Sequence, residues 1–215
     1  MRHHLLISGT GRAGTTFLVQ LFTELGLDTG FASLSAGVDP CCFAGMEHSA
    51  DCIIDKTAPY VVKSPGFCEK LEEVMQLPDV KIDFLVICVR DLFSAAESRR
   101  RITALAKNRK APGGLWGTRF PREQEAILAR KFYELVYTSV KYEVPTLWLS
   151  FPRIVSDPEY LYTSIRPAIP ATEYQEFLTA FGKVSNPEFV HSFKSTKQSG
   201  VLAAAKGWIK CRFRK

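Results

Sequence analysis

The run Gly9-Thr10-Gly11-Arg12-Ala13-Gly14-Thr15-Thr16 holds the residue types of an oxyanion cradle. Glycines let a backbone wrap an anion and turn its N–H groups inward, and a helix starting behind them aims its positive end at the same point. Thr15 and Thr16 add two hydroxyl donors, and Arg12 adds a positive charge from inside the loop. The spacing is that of G-x-x-x-x-G-K-[ST], with Thr15 standing where the lysine of a nucleoside-triphosphate loop stands.

Such a cradle needs a strand before it and a helix after it. Leu5 to Ser8 reads as a short buried strand, and Phe17, Leu18, Leu21, Phe22 and Leu25 recur at helical spacing until Gly26. Residues 28–52 lack periodicity and read as irregular with a short helix, and 60–63 as a short strand. A helix is expected from Pro65 to about Gln76, with Pro78 beyond its end. Ile82 to Val89 is continuous, apolar and β-branched, the pattern of a strand buried on both faces of a parallel sheet. Helices at 91–107 and 122–142, a strand at 145–150 and helices at 157–166 and 171–182 complete the alternation. The fold class expected is α/β: a three-layer P-loop fold with a central parallel sheet of four or five strands flanked by helices. Residues 108–121, with Gly113-Gly114 and an exposed Trp116, read either as a lid loop or as a plain flexible loop.

The lysine-free loop carries a chemical message. Enzymes that move a γ-phosphoryl group use that lysine on the β- and γ-phosphates, beside a Mg²⁺ held by the next hydroxyl. A sulfuryl group carries less charge, so Gly9–Thr16 suits a phosphosulfate better than a nucleoside triphosphate. A second block lies where the strongest strand ends, at Val89-Arg90-Asp91, with Ser98 eight residues after Arg90. An arginine there offers a fork to a phosphate and the serine a further donor. Together these blocks resemble the 5′-phosphosulfate loop and the 3′-phosphate motif of sulfotransferases that use 3′-phosphoadenylyl sulfate (PAPS). Val62-Lys63-Ser64-Pro65 is similar to the Lys-[Thr/Ser]-Pro of bacterial-type members, and Val155-Ser156-Asp157-Pro158-Glu159 to a structural segment of the family. Lys206-Gly207-Trp208 is similar to its C-terminal Gly-x-Trp element. The family often has proline after the Arg-Asp pair, where this chain has Leu92.

The resemblance implies metal-independent, in-line transfer of a sulfuryl group from PAPS to a hydroxyl or amine of a small-molecule or glycan acceptor. Gly11, Arg12, Ala13, Gly14, Thr15 and Thr16 would hold the donor's 5′ end, and Arg90 and Ser98 its 3′-phosphate. Arg12 would stand near the bridging oxygen, with Lys63 sharing that work. Cytosolic members carry a histidine where Pro65 stands, so the general base must come from elsewhere. Glu47 and His48 are the candidates, with Asp55 behind them and His191 more remote. Two other classes stay open: a P-loop kinase or NTPase in which Arg12 replaces the lysine, and a non-catalytic nucleotide-binding protein. No acid stands in place of Arg90 to hold a metal, which counts against the first.

Composition sets the outer bounds. The 215 residues suit one domain spanning 1–215, and 46% apolar with 23% charged residues excludes disorder, collagen and coiled coil as the main state. No apolar run approaches the roughly 18 residues of a membrane span. The start, Met1 to Ile7, is not patterned as a signal peptide, so a cytoplasmic protein is expected. The six cysteines, set mostly in apolar strings, are expected to be reduced and structural, and no histidine pair has metal-ligand spacing. The net charge of +6 concentrates at 98–110 and 206–215 and favours an anionic partner. Those runs lack regularly interleaved aromatics, so nucleic acid is not the partner expected.

Overall fold

A computed structural model describes residues 1–39, 42–106, 112–186 and 193. The main sheet has four parallel strands: β1 (Arg2–Gly9), β4 (Val61–Lys63), β5 (Val80–Val89) and β6 (Thr146–Ser150). Their spatial order is β4-β1-β5-β6. Between β1 and β4 come helix α1 (Thr15–Glu24), strands β2 (Val38–Asp39) and β3 (Ala44–Gly45), and a 3₁₀ turn at Ala50–Cys52. Helix α2 (Phe67–Met75) leads to β5, and α3 (Leu92–Leu105) and α4 (Gln124–Lys141) lead to β6. Helices α5 (Arg153–Ser156), α6 (Pro158–Ile165) and α7 (Tyr174–Val184) follow.

Alternation along the strands builds two cores. Leu5, Ile7, Val86 and Cys88 face α1, α6 and α7, whereas Leu6, Val62, Leu85 and Ile87 face α2 and α4. Leu5, Leu6 and Ile7 are all fully buried, which is why a run without polar alternation forms this strand. The result is the expected α/β class, helices on both faces of a parallel four-stranded sheet.

The topology also places the chemistry. The chain leaves β1 toward β4 on one side, then crosses back to β5 on the other. The carboxyl ends of β1 and β5, paired as Gly9 with Cys88, therefore flank a switch point, where open α/β sheets bind ligands. The Gly9–Thr16 loop leaves one of these ends and Arg90 the other.

Several boundaries differ from expectation. The first strand starts at Arg2 rather than Leu5, because Arg2, His3 and His4 pair with Val80, Lys81 and Ile82 of β5; His4 is buried with Nδ1 on the Pro59 carbonyl at 2.8 Å. The irregular stretch 28–52 contains the β2–β3 hairpin, which pairs Val38 with Gly45 and Asp39 with Ala44 and is too short to leave a periodic signal. Asp157 caps α6, accepting from Tyr160 N–H at 2.9 Å, with Pro158 opening the helix, the structural role its motif implied. His191 and the basic tail lie outside the described residues. Among the described residues no helix is long and apolar enough to cross a membrane.

Candidate functional site

A cavity of about 770 Å³ opens at the switch point, bordered by the Gly9–Thr16 loop, the β2–β3 hairpin, the end of β4, Arg90 and residues 113–116. Its size suits a nucleotide-sized ligand. Gly11, Arg12, Gly14, Thr15, Thr16, Glu47, Lys63, Arg90 and Ser98 all line it. Ala13 does not; it is fully buried in the core behind the loop and anchors it.

The loop is wound for an anion. Gly11 (φ 67°), Arg12 (φ 57°) and Gly14 (φ 82°) adopt left-handed backbone, which turns successive N–H groups to one side. Gly14 caps α1 with no side-chain hydrogen bond, and Leu18 N–H is the first to close on it, at 3.1 Å. The N–H groups of Thr15, Thr16 and Phe17 thus keep their positive ends for a ligand. A Cβ at Gly14 would press on Ile154 and Phe151, and one at Gly11 would run into Nη2 of Arg99.

Arg99 explains that second restriction. It is buried, donates Nε and Nη2 to the Thr10 carbonyl at 3.2 and 2.8 Å, and donates Nη1 to the Gly114 carbonyl at 2.6 Å. Its guanidinium also lies 5.3 Å from the Trp116 ring, whose other neighbour is the Lys131 ammonium at 4.4 Å. Trp116 is therefore not exposed as the sequence suggested. It is half-buried between two cations, and its backbone N–H donates to Gln124 Oε1 at 2.7 Å. From the sequence the whole Arg99-Arg100-Arg101 run reads as a site for the 3′-phosphate or an anionic acceptor, or as a solvated helix face, with nothing to set Arg99 apart from its neighbours. Arg100 instead pairs with Glu97 and Glu125.

Lys63 ends β4 with its side chain almost wholly buried. Its three N–H bonds meet Thr16 Oγ1 at 3.0 Å, the Gly45 carbonyl at 2.5 Å and Glu47 Oε1 at 3.4 Å. Burial pulls its pKa below the ordinary lysine value, opposed by the charge of Glu47. His48 is committed to the backbone: Nδ1 accepts from Lys63 N–H at 3.1 Å, and Nε2 meets the Thr29 carbonyl at 3.2 Å. That fixes a neutral ring with its proton on Nε2, and burial lowers its pKa further. Asp55 follows the 3₁₀ turn, its N–H on the Asp51 carbonyl, and does not line the cavity.

Three guanidiniums share the other end. Arg12 donates Nε to Ser98 Oγ at 3.1 Å and Nη1 to the Cys42 carbonyl at 3.0 Å, and Arg90 donates Nη1 to the Arg12 carbonyl at 2.7 Å. The Arg90 guanidinium also lies 4.9 Å from the Phe151 ring centroid. Burial, and then the charge of Arg12, bring Arg90 down to about 10; burial does the same for Arg99, again with Arg12 adding to it. Such mutual repulsion is what an anion would relieve.

Fold and site together define a doubly wound α/β protein with a glycine-rich strand–loop–helix turn lining a cavity at its switch point. No protein-family model matches the chain, and no curated protein matches it at a significant level. Among solved structures it is similar to the sulfotransferase domain of the Synechococcus PCC 7002 olefin synthase, with 13% identity over 89% of this chain and 83% of that chain and a TM-score of 0.49.

Proposed function

We propose that the chain is a PAPS-dependent sulfotransferase, moving a sulfuryl group to a hydroxyl or amine of a small-molecule or glycan acceptor. The observation that carries this reading is the Thr16–Lys63–Glu47 chain, which sets a buried ammonium between a loop hydroxyl and a carboxylate at the cavity wall. The residues present fit the donor. The uncapped start of α1 suits a 5′-phosphosulfate, and Arg90 with Ser98 suits a 3′-phosphate, as the sequence motifs imply.

In this reading the acceptor oxygen or nitrogen bonds to sulfur in line as the bond from sulfur to the bridging oxygen breaks. The adenosine bisphosphate leaves with that electron pair. Lys63 turns an N–H bond to the bridging oxygen and offsets its developing charge. Glu47, more exposed than Lys63, takes the acceptor proton. His48, with both ring nitrogens on backbone groups, is a positioning residue that fixes where β4 delivers Lys63.

The test is transfer of radiolabelled sulfur from PAPS to a mixed pool of phenols, aliphatic alcohols, amines and sugars, in EDTA. Label should pass to an acceptor, and Lys63→Met should slow transfer by about 10²–10³-fold. Equal rates for wild type and Lys63→Met would overturn the role of Lys63, and label that never leaves the donor would overturn the activity.

A further inference from the structure

The family resemblance puts the Arg12 charge at the bridging oxygen, but the geometry points to a different division of labour. We infer that the Arg12 side chain reads the donor's 3′-phosphate together with Ser98 and Arg90, and that Lys63 alone among the side-chain cations serves the bridging oxygen. This rests on the PAPS reading above.

Four observations hold Arg12 at that end. Its Nε is 3.1 Å from Ser98 Oγ, so the guanidinium sits beside the serine that the sequence motif assigns to the 3′-phosphate. Its Nη1 is tied at 3.0 Å to the carbonyl of Cys42, which lies between β2 and β3. Its chain packs against Gly113, whose missing side chain makes the room: a Cβ there would lie 2.7 Å from Arg12 Cδ and 3.2 Å from Nη1. Arg90 grips the Arg12 carbonyl at 2.7 Å, bringing both arginines to one place.

The chemistry agrees. Ser98 Oγ accepts from Arg12, which leaves the serine proton to donate outward to an anion. Arg12's partners at Nε and Nη1 are a hydroxyl and a carbonyl, neither of them charged, so its guanidinium is tied up by no carboxylate at those atoms, and the field of Glu47 favours its charge. A phosphate dianion is a better match for two adjacent guanidiniums than a single bridging oxygen is. The bridging oxygen has its own cation, because Lys63 already rests on Thr16 Oγ1 at the loop's opposite end. The strained backbone of Arg12, at φ 57°, fits this view: a left-handed residue can throw its side chain across to α3 while its amide stays in the cradle.

The experiment is calorimetric titration in EDTA with adenosine 3′,5′-bisphosphate and adenosine 5′-monophosphate, which differ only in the 3′-phosphate. The proteins are wild type, Arg12→Asn, Ser98→Ala and the double variant. Asparagine is chosen because it tolerates left-handed backbone. Wild type should prefer the bisphosphate. Arg12→Asn should cut that preference about 10- to 100-fold while changing the monophosphate affinity less than about threefold. The two single losses should be less than multiplicative in the double variant, for the bisphosphate only. Equal weakening of both nucleotides, or an unchanged preference, would overturn the inference and leave the donor reading standing. If wild type binds neither nucleotide, both fall together. Should Arg12→Asn fail to fold, Arg12→Lys keeps the charge but loses the fork; it should lose preference for the bisphosphate, and full retention would contradict the claim.

Discussion

Lys63 and Glu47 meet at 3.4 Å across a boundary between buried and open: the lysine side chain is 3% exposed and the glutamate 39%. The ammonium is thereby fixed and desolvated, while the carboxylate can still reach an incoming acceptor. Glu47→Gln preserves an oxygen for Lys63 but cannot take a proton. Turnover should fall by about 10²–10⁴-fold while the affinity for adenosine 3′,5′-bisphosphate stays within about threefold. Initial rates and calorimetry check this, and a loss of affinity matching the loss of rate would mean that Glu47 is structural.

The pH dependence of nucleotide binding should report on Lys63. Burial lowers its pKa, so its charge is lost at a lower pH than that of a surface lysine. On the protein side, bisphosphate affinity should therefore fall as pH rises through that lowered pKa, a trend apart from the ligand's own phosphate titration at about pH 6. In Lys63→Arg the fall should disappear, since a guanidinium keeps its proton there. The stability effect has the opposite sign. The unfolded chain holds this proton more tightly, so the contribution of Lys63 to stability rises with pH between its folded and unfolded pKa values. Titrations and thermal melts over a wide pH range, each set beside Lys63→Arg, measure the two trends.

Gly11 is required by Arg99. Its backbone is left-handed, and a Cβ would collide with the guanidinium that holds the Thr10 carbonyl. Gly11→Ala should cost about 1–3 kcal/mol, a drop in Tm of roughly 2–12 °C for a chain of this length. Scanning calorimetry decides it, and an unchanged Tm would show that the clamp is dispensable.

Sequence legibility divides along physical lines. The loop and β5 were readable because their signals are local: glycines at fixed spacing, and an unbroken apolar run from Ile82 to Val89. Arg90, just past the end of β5, and Ser98, in α3, both line the cavity, and the sequence could offer them as a pair because strand end and helix start are contiguous in the chain. Arg99 was not readable, since three consecutive arginines look alike until the rotation of α3 turns one inward to Thr10 and another toward Glu97 and Glu125. His48 was visible as a titratable residue, but its commitment to Lys63 and Thr29 depends on strands distant in sequence. Trp116 was misread as exposed because its cover comes from α3 and α4, at Arg99 and Lys131.

Two thiols should be inert. Burial pushes Cys68 and Cys88 up to about 12, so at pH 8 only about one in 10⁴ of either is thiolate. Mass mapping after alkylation of the native protein should find both unmodified, and both modified once the chain is unfolded. Alkylation of Cys88 in the native state would contradict the packing of β5 between two helical layers.

The most direct test of the central claim is calorimetric titration of the wild-type chain with adenosine 3′,5′-bisphosphate in EDTA, set beside ATP with Mg²⁺. The account predicts saturable binding of the bisphosphate without metal, and much weaker binding of Mg·ATP. Binding of Mg·ATP alone would contradict it and assign the lysine-free loop to a nucleoside triphosphate.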